Sequence, residues 1–233
     1  MAKLILTASQ KKLVKKWKRL NKPQISQELR DILHGYIMSD GHVKKEGNLA
    51  VDQGQEQKPF VEWMYSKLKP LRTSTSITEV VRIHSKTGKK SVSYRFFTRN
   101  FLGGFRNMWY KPIGVDAKGK TIYEKQLPES IDCFFTSTFI SLWYAGDGTK
   151  LLDSKGVKFE VTAFSEVERL KLQSLFLRKF GISTSIISSG HSSVGNKQWA
   201  LRIPADEYDK FHKLITKIDL IPKIFSYKLH SMV

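Results

Sequence analysis

The chain has 233 residues, with 40 Lys+Arg against 21 Asp+Glu and a formal charge of +19, a length that suits one large domain or two small ones. Apolar residues make up 40% of it, too many for wholesale disorder, while no apolar run reaches the ~18 residues that cross a bilayer and the first residues lack a signal-peptide core. The single cysteine, Cys133, excludes an internal disulfide framework and a Cys-rich zinc site and is expected in the core; the surplus charge points to nucleic acid before an anionic membrane.

Residues 1–27 carry eight cations and no acid. Leu13, Val14, Trp17 and Leu20 recur there at helical spacing, which predicts an amphipathic basic helix over 8–20. It reads as a docked, solvated helix or as a phosphate-contacting arm; a transit peptide would favour Arg and Ser instead of Lys. Pro23 ends the segment.

An internal repeat follows. Residues 32–41 read ILHGYIMSDG and residues 139–148 read FISLWYAGDG; both are apolar helical stretches ending in Asp-Gly, with Asp40 and Asp147 107 positions apart. After the first come short strands (42–44, 48–53), a helix (58–68), a hairpin (76–84 and 91–98) and a helix near 101–110. After the second come strands at 150–153 and 157–163, a helix over 165–180, a hairpin (182–188 and 198–203) and a helix over 205–217. Each half is therefore an αββαββα unit of an α+β fold, a tandem pseudo-two-fold repeat with antiparallel sheets. Residues 1–28 form a basic amino-terminal segment, 29–131 the first half with its linker, and 132–233 the second half.

Alternation along the strands gives each sheet an apolar face and a polar-to-basic one. Ile77, Val81, Ile83, Val92, Tyr94 and Phe96 are expected inside. On the open side, candidate nucleic-acid contacts, to DNA or RNA, are Lys44, Thr78, Arg82, His84, Lys89, Ser93 and Arg95 in the first half, and Lys150, Lys158, Thr162, Gln198 and Arg202 in the second. Arg82, Arg95 and Arg202 are candidate guanine readers, since arginine forks match that base edge.

Small residues lie four apart on each Asp-Gly helix, Gly35 and Ser39 on one, Ser141 and Ala145 on the other, a spacing that lets helix backbones approach closely. Such packing would join Asp40 and Asp147 at the carboxyl ends, with Gly41 and Gly148 suited to a left-handed helix stop. Paired carboxylates at a helix carboxyl end repel each other and the dipole, so cations are expected between them. Mg²⁺, which takes hard oxygen ligands, fits.

On these residues the chain resembles a LAGLIDADG homing endonuclease of the single-chain, two-motif kind. LHGYIMSDG (33–41) and ISLWYAGDG (140–148) fill the nine motif positions. Met38 and Ala145 stand at the sixth, where the eponymous acid would be, while the eighth keeps its metal-binding acid in both copies. The resemblance implies a monomer whose two sheets form a saddle on a long, asymmetric double-stranded DNA site. It also implies metal-assisted hydrolysis, with two or three Mg²⁺ held by Asp40 and Asp147 together with the Gly41 and Gly148 positions. Lys125 and Lys228, 103 positions apart, match the family's basic residues near the end of each half, and Lys120 rivals the first. Gln53 matches a polar side chain at the end of the second strand, with Asp52 and Gln55 as rivals; Thr162 stands for it in the second half. Members of the family also act as intron RNA maturases, and a scaffold with dead chemistry is a third alternative. An intron-bearing organelle, mitochondrion or chloroplast, is a plausible setting.

Three other signals are set aside. The six histidines show no metal-ligand spacing. Gly103-Gly104 reads as a turn, and Trp63, Trp109 and Trp199 as core, with Trp143 and Tyr144 packed behind the second motif.

Overall fold

The computed structural model describes residues 7–10, 12, 13 and 23–231. Of the basic helix expected over 8–20, residues 8–10, 12 and 13 are helical and exposed; the remainder lies outside the described residues. No helix among the described residues is long and apolar enough to cross a membrane.

Each half opens with a helix started by a hydroxyl cap, which satisfies one of the free N–H groups at a helix beginning. Ser26 Oγ accepts from Leu29 N ahead of α1 (Gln27–Met38). Thr136 Oγ1 accepts from Phe139 N ahead of α4 (Ser137–Asp147). The first half continues with β1 (His42–Val43), β2 (Leu49–Gly54), α2 (Lys58–Lys67), β3 (Thr78–Ile83), β4 (Lys90–Phe97) and α3 (Gly103–Trp109). A two-stranded hairpin, β5 (Tyr110–Val115) and β6 (Thr121–Lys125), leads out of it. The second half has β7 (Gly148–Lys150), β8 (Val157–Glu160), α5 (Glu166–Phe180), β9 (Ser185–His191), β10 (Lys197–Ile203), α6 (Tyr208–Ile215) and a short α7 (Leu220–Ile224). The two sheets have the same antiparallel order, β1-β2-β4-β3 and β7-β8-β10-β9, and helices cover one face of each. The αββαββα repeat read from the sequence is the architecture of the protein.

The motif helices α1 and α4 cross at the centre. A Cβ on Gly35 would stand 2.6 Å from Phe139 O and 2.7 Å from Leu142 Cβ, and one on Gly146 2.5 Å from Ser39 Cβ. The crossing on α4 thus runs along Phe139, Leu142 and Gly146. Ser141, expected there with Ala145, faces elsewhere: its Oγ lies 3.0 Å from Ile215 O at the end of α6. The matching second motif position in the first half is His34, whose Nδ1 accepts from Trp109 Nε1 at 2.8 Å at the end of α3. Each motif helix is therefore tied by the same position to the helix that closes its half. Asp31, buried, accepts from Thr136 Oγ1 at 2.8 Å and from Gln27 Nε2 at 2.7 Å, fastening the two helix beginnings together.

Several expectations are corrected. Cys133 is exposed, on a short 3₁₀ turn. Val81 and Ile83 are 47% and 70% exposed, because β3 is the outer strand of its sheet and α2 packs on β2 and β4. Gly103 and Gly104 begin α3 instead of forming a turn. Trp109 and Trp143, by contrast, are fully buried, as expected. Trp63 and Trp199 are half-buried beneath cations, Lys67 at 5.6 Å from one ring centroid and Lys197 at 4.3 Å from the other. The hairpin β5–β6 and helix α7 are additions to the expected element order.

Candidate nucleic-acid interface and active site

Crossing α1 with α4 brings both Asp-Gly ends to one place. A Cβ on Gly146, next to Asp147, would lie 3.1 Å from Asp40 Oδ2, so the two acids are neighbours. They are not equivalent. Asp147 belongs to the last turn of α4 and is half-buried, while α1 stops at Met38 and leaves Asp40 exposed beyond it. Burial, and then the charge of Asp40, raise the Asp147 carboxyl above its usual range. The motif glycines are required by space and not by handedness. Gly148 is extended, with φ −78° and ψ 142°, and a Cβ there would overlap Tyr144 Cδ2 at 2.0 Å; one on Gly41 would meet Tyr36 O at 2.7 Å.

Two lysines close the helix ends. Lys125, the last residue of β6, donates to Met38 O at 2.8 Å and Ser39 O at 3.1 Å. Lys228 reaches Ala145 O at 2.7 Å, Gly148 O at 2.8 Å, Gly146 O at 3.2 Å and Tyr144 O at 3.3 Å. Each ammonium thus occupies the carbonyl-rich end of a helix, where cations are favoured, and offsets the repulsion that a terminal aspartate meets there. Burial lowers the pKa of both lysines, and Asp40 and Asp147 oppose that shift.

Gln53 Nε2 donates to Asp40 Oδ2 at 3.1 Å. Its rivals lie elsewhere: Asp52 faces the other side of the sheet, and Gln55 is exposed in the turn after β2. In the second half the expected partner, Thr162, is engaged with the sheet edge, its Oγ1 accepting from Trp199 N at 2.7 Å. Register identifies the true counterpart of Gln53. Val51 pairs with Phe96 and Phe159 with Leu201, so two residues further on Gln53 corresponds to Val161, which is buried. Lys120, the rival of Lys125, sits at the hairpin turn away from both acids.

The carbonyls of Gly41 and Gly148 already have donors, Tyr110 OH at 3.3 Å and Lys228 Nζ at 2.8 Å. Each carbonyl oxygen keeps a second lone pair beside that donor. No group of three or more His, Cys, Asp or Glu side chains gathers among the described residues. A divalent ion here would draw on two carboxylates, water and substrate phosphate. This sparse oxygen set is the one Mg²⁺ takes, so the donor chemistry fits.

On the first sheet, register puts Thr78, Arg82, Ser93 and Arg95 on the open face with Asp52. Arg82 is held there by Asp52 Oδ2 at 2.8 Å and Ser93 Oγ at 2.7 Å, and Ser93 is buried beneath it. Lys44 joins this face, its ammonium 5.2 Å from the Phe97 ring centroid. His84 and Lys89 lie in the β3–β4 turn, where His84 Nδ1 accepts from Thr87 N at 3.2 Å. On the second sheet Lys158, Gln198 and Arg202 share the open face. Lys150 does not: it pairs with Val157 on the helix side and donates to Leu229 O at 3.3 Å. Two acids outside the expected nucleic-acid contacts occupy matching places on the open faces, Asp52 opposite Arg95 and Glu160 opposite Ala200. The strand alternation that exposes their basic neighbours is the signal for them.

The family model described as the LAGLIDADG DNA endonuclease family matches residues 30–211. Over 215 residues the chain is 25% identical to cytochrome b mRNA maturase bI2 of Saccharomyces cerevisiae, covering 88% of this chain and 48% of that protein; it thus spans about half the length of this curated relative. A solved structure, the homing endonuclease I-WcaI bound to its DNA recognition sequence, has a TM-score of 0.71 at 20% identity, covering 99% of this chain and 97% of that one. That likeness is one of fold, including the two-part pseudo-repeat. The chain belongs to the LAGLIDADG DNA endonuclease family.

Proposed function

We propose that the protein is a Mg²⁺-dependent, site-specific double-strand DNA endonuclease of the homing type, acting as a monomer on a long asymmetric target. The observation that carries this reading is the juxtaposition of Asp40 and Asp147 at the crossing of α1 and α4, each helix end neutralised by its own lysine. Asp40 and Asp147 would hold Mg²⁺, which would supply Lewis-acid charge to the scissile phosphates and lower the pKa of the attacking water. The Gln53 amide fixes the orientation of the Asp40 carboxylate. Lys125 and Lys228 place positive charge where negative charge develops on the phosphate. Cations of the open sheet faces contact backbone phosphates and set affinity and salt dependence. Arg95, Arg202 and Gln198 address base edges in the major groove, while Asp52 and Glu160 suit the amino group of cytosine.

The test is cleavage selection from a host-derived duplex library with Mg²⁺, Ca²⁺ or EDTA. Double-strand cuts at one long site with Mg²⁺ alone are expected; binding without cutting under every metal would overturn the nuclease reading. The likeness to the yeast maturase favours a second reading, an intron RNA maturase on the same scaffold. It predicts Mg²⁺-dependent binding of a structured intron RNA that accelerates its splicing, with no acceleration contradicting it.

A further inference from the structure

The hairpin β5–β6 breaks the two-fold likeness of the halves. The chain reaches Lys125 through this hairpin, whereas it reaches Lys228 through α7. The hairpin is preformed: Asp116 Oδ1 accepts from Lys118 N and Lys120 N, each at 2.9 Å, and fixes its turn. Arg106 of α3 pins its root, donating to Val43 O at 2.7 Å with its guanidinium 4.4 Å from the Tyr123 ring centroid. Between the hairpin and the β1–β2 turn lies a trench of about 450 Å³ lined by Lys44, Lys45, Arg106, Lys120 and Tyr123, with Glu46 its sole acid. Among the described residues none of these four cations takes part in an ion pair, whereas Lys223 of α7 is bound to Asp219 at 2.6 Å. Two of the trench's lining residues adjoin the working surfaces. His42, two residues past Asp40, lines it, and Lys44 bridges it to the open sheet face over Phe97.

We infer that this trench is a backbone-phosphate clamp for duplex DNA, present on the first half only. It grips the strand leaving the Asp40 side of the cleft and makes the protein's electrostatic footprint one-sided. The inference rests on the nuclease reading for its ligand but needs no cleavage to be tested. Unpaired cations in a fixed concave wall release counterions when phosphates enter, and each phosphate left without its cation lowers the slope of log K against log salt by about 0.9.

The experiment measures binding of the full chain to a fluorescein-labelled duplex of random sequence across a salt series, in Ca²⁺. The double variant Lys45→Ala/Lys120→Ala is compared with Lys217→Ala/Lys223→Ala, which removes the same charge near α7. All four side chains are exposed, so unchanged melting temperatures verify the fold. The trench variant is expected to flatten the slope by about 1.8, the share of two phosphates, and the control to leave it unchanged. An unchanged slope in the trench variant, or an equal fall in the control, overturns the clamp and leaves the endonuclease reading standing. A fall seen with a hairpin RNA and absent with duplex DNA also overturns it, assigning the trench to RNA. Failure of the unaltered protein to bind any duplex overturns the clamp and the nuclease reading together.

Discussion

The two halves answer one structural demand differently. Both must place an acid at the carboxyl end of a buried helix, where backbone carbonyls repel it, and both meet that with a lysine from the end of the half. The first half leaves Asp40 exposed beyond α1, adds Gln53, and holds its lysine on two carbonyls. The second keeps Asp147 within α4, has Val161 where Gln53 would be, and holds its lysine on four. A repeated fold thus preserves the acid–lysine pair and lets its polar surroundings diverge. Under the proposed function the shared elements would carry the chemistry, and the differing ones would set how each half performs it.

Removing the lysines probes the shared part hardest. Lys125→Met and Lys228→Met should each slow cleavage by about 10²–10³-fold, the usual cost of deleting one group that stabilises transition-state charge. Lys228→Met should lower the melting temperature more, because it frees four carbonyls instead of two. Equal melting shifts would remove that distinction.

His34 separates the halves by pH. Burial, with a smaller contribution from Arg30, lowers its pKa to about 3. Its contribution to stability is therefore fully present above the unfolded value near 6.5 and is lost as pH falls toward 3. At pH 5 that amounts to about 2 kcal/mol. The matching Ser141 does not titrate, so His34→Phe should flatten the fall of melting temperature between pH 7 and 5. A variant with the unaltered protein's acid sensitivity would refute this.

The helix crossing gives the next effect. Gly35→Ala drives a methyl into the Phe139 backbone and should destabilise by about 1–3 kcal/mol. Gly146→Ala meets the Ser39 side chain instead and should be partly rescued by Ser39→Gly in denaturant titrations. Gln53→Val, which makes the two accessory positions alike, should slow cleavage by about tenfold, one hydrogen bond to a charged group. An unchanged single-turnover rate would remove Gln53 from the site.

Much of this arrangement is legible in the sequence because it is periodic or repeated. The Asp-Gly pair reveals the two halves, and the lysine spacing echoing it picks out Lys125 and Lys228. Sequence and structure part where one residue changes a face. Spacing points to Thr162 in place of Val161, and to Ser141 with Ala145 in place of Gly146, since one step turns a strand side chain over and a helix position by about 100°. Lys150 falls on the helix side because β7 begins at Gly148. The hairpin β5–β6 lacks a buried apolar face: Ile113, Val115 and Ile122 are exposed. Pro112 and Gly114 inside it argue against a strand. Val81 and Ile83 read as core because alternation reports which face a residue takes, and not whether a helix extends far enough to cover it.

The most direct measurement is parallel cleavage and binding of the selected target by the unaltered protein, Asp40→Asn and Asp147→Asn. Loss of double-strand cleavage in both variants, with affinity in Ca²⁺ retained within a few-fold, is the expected result. Cleavage by either variant at the unaltered rate would contradict the paired-acid site.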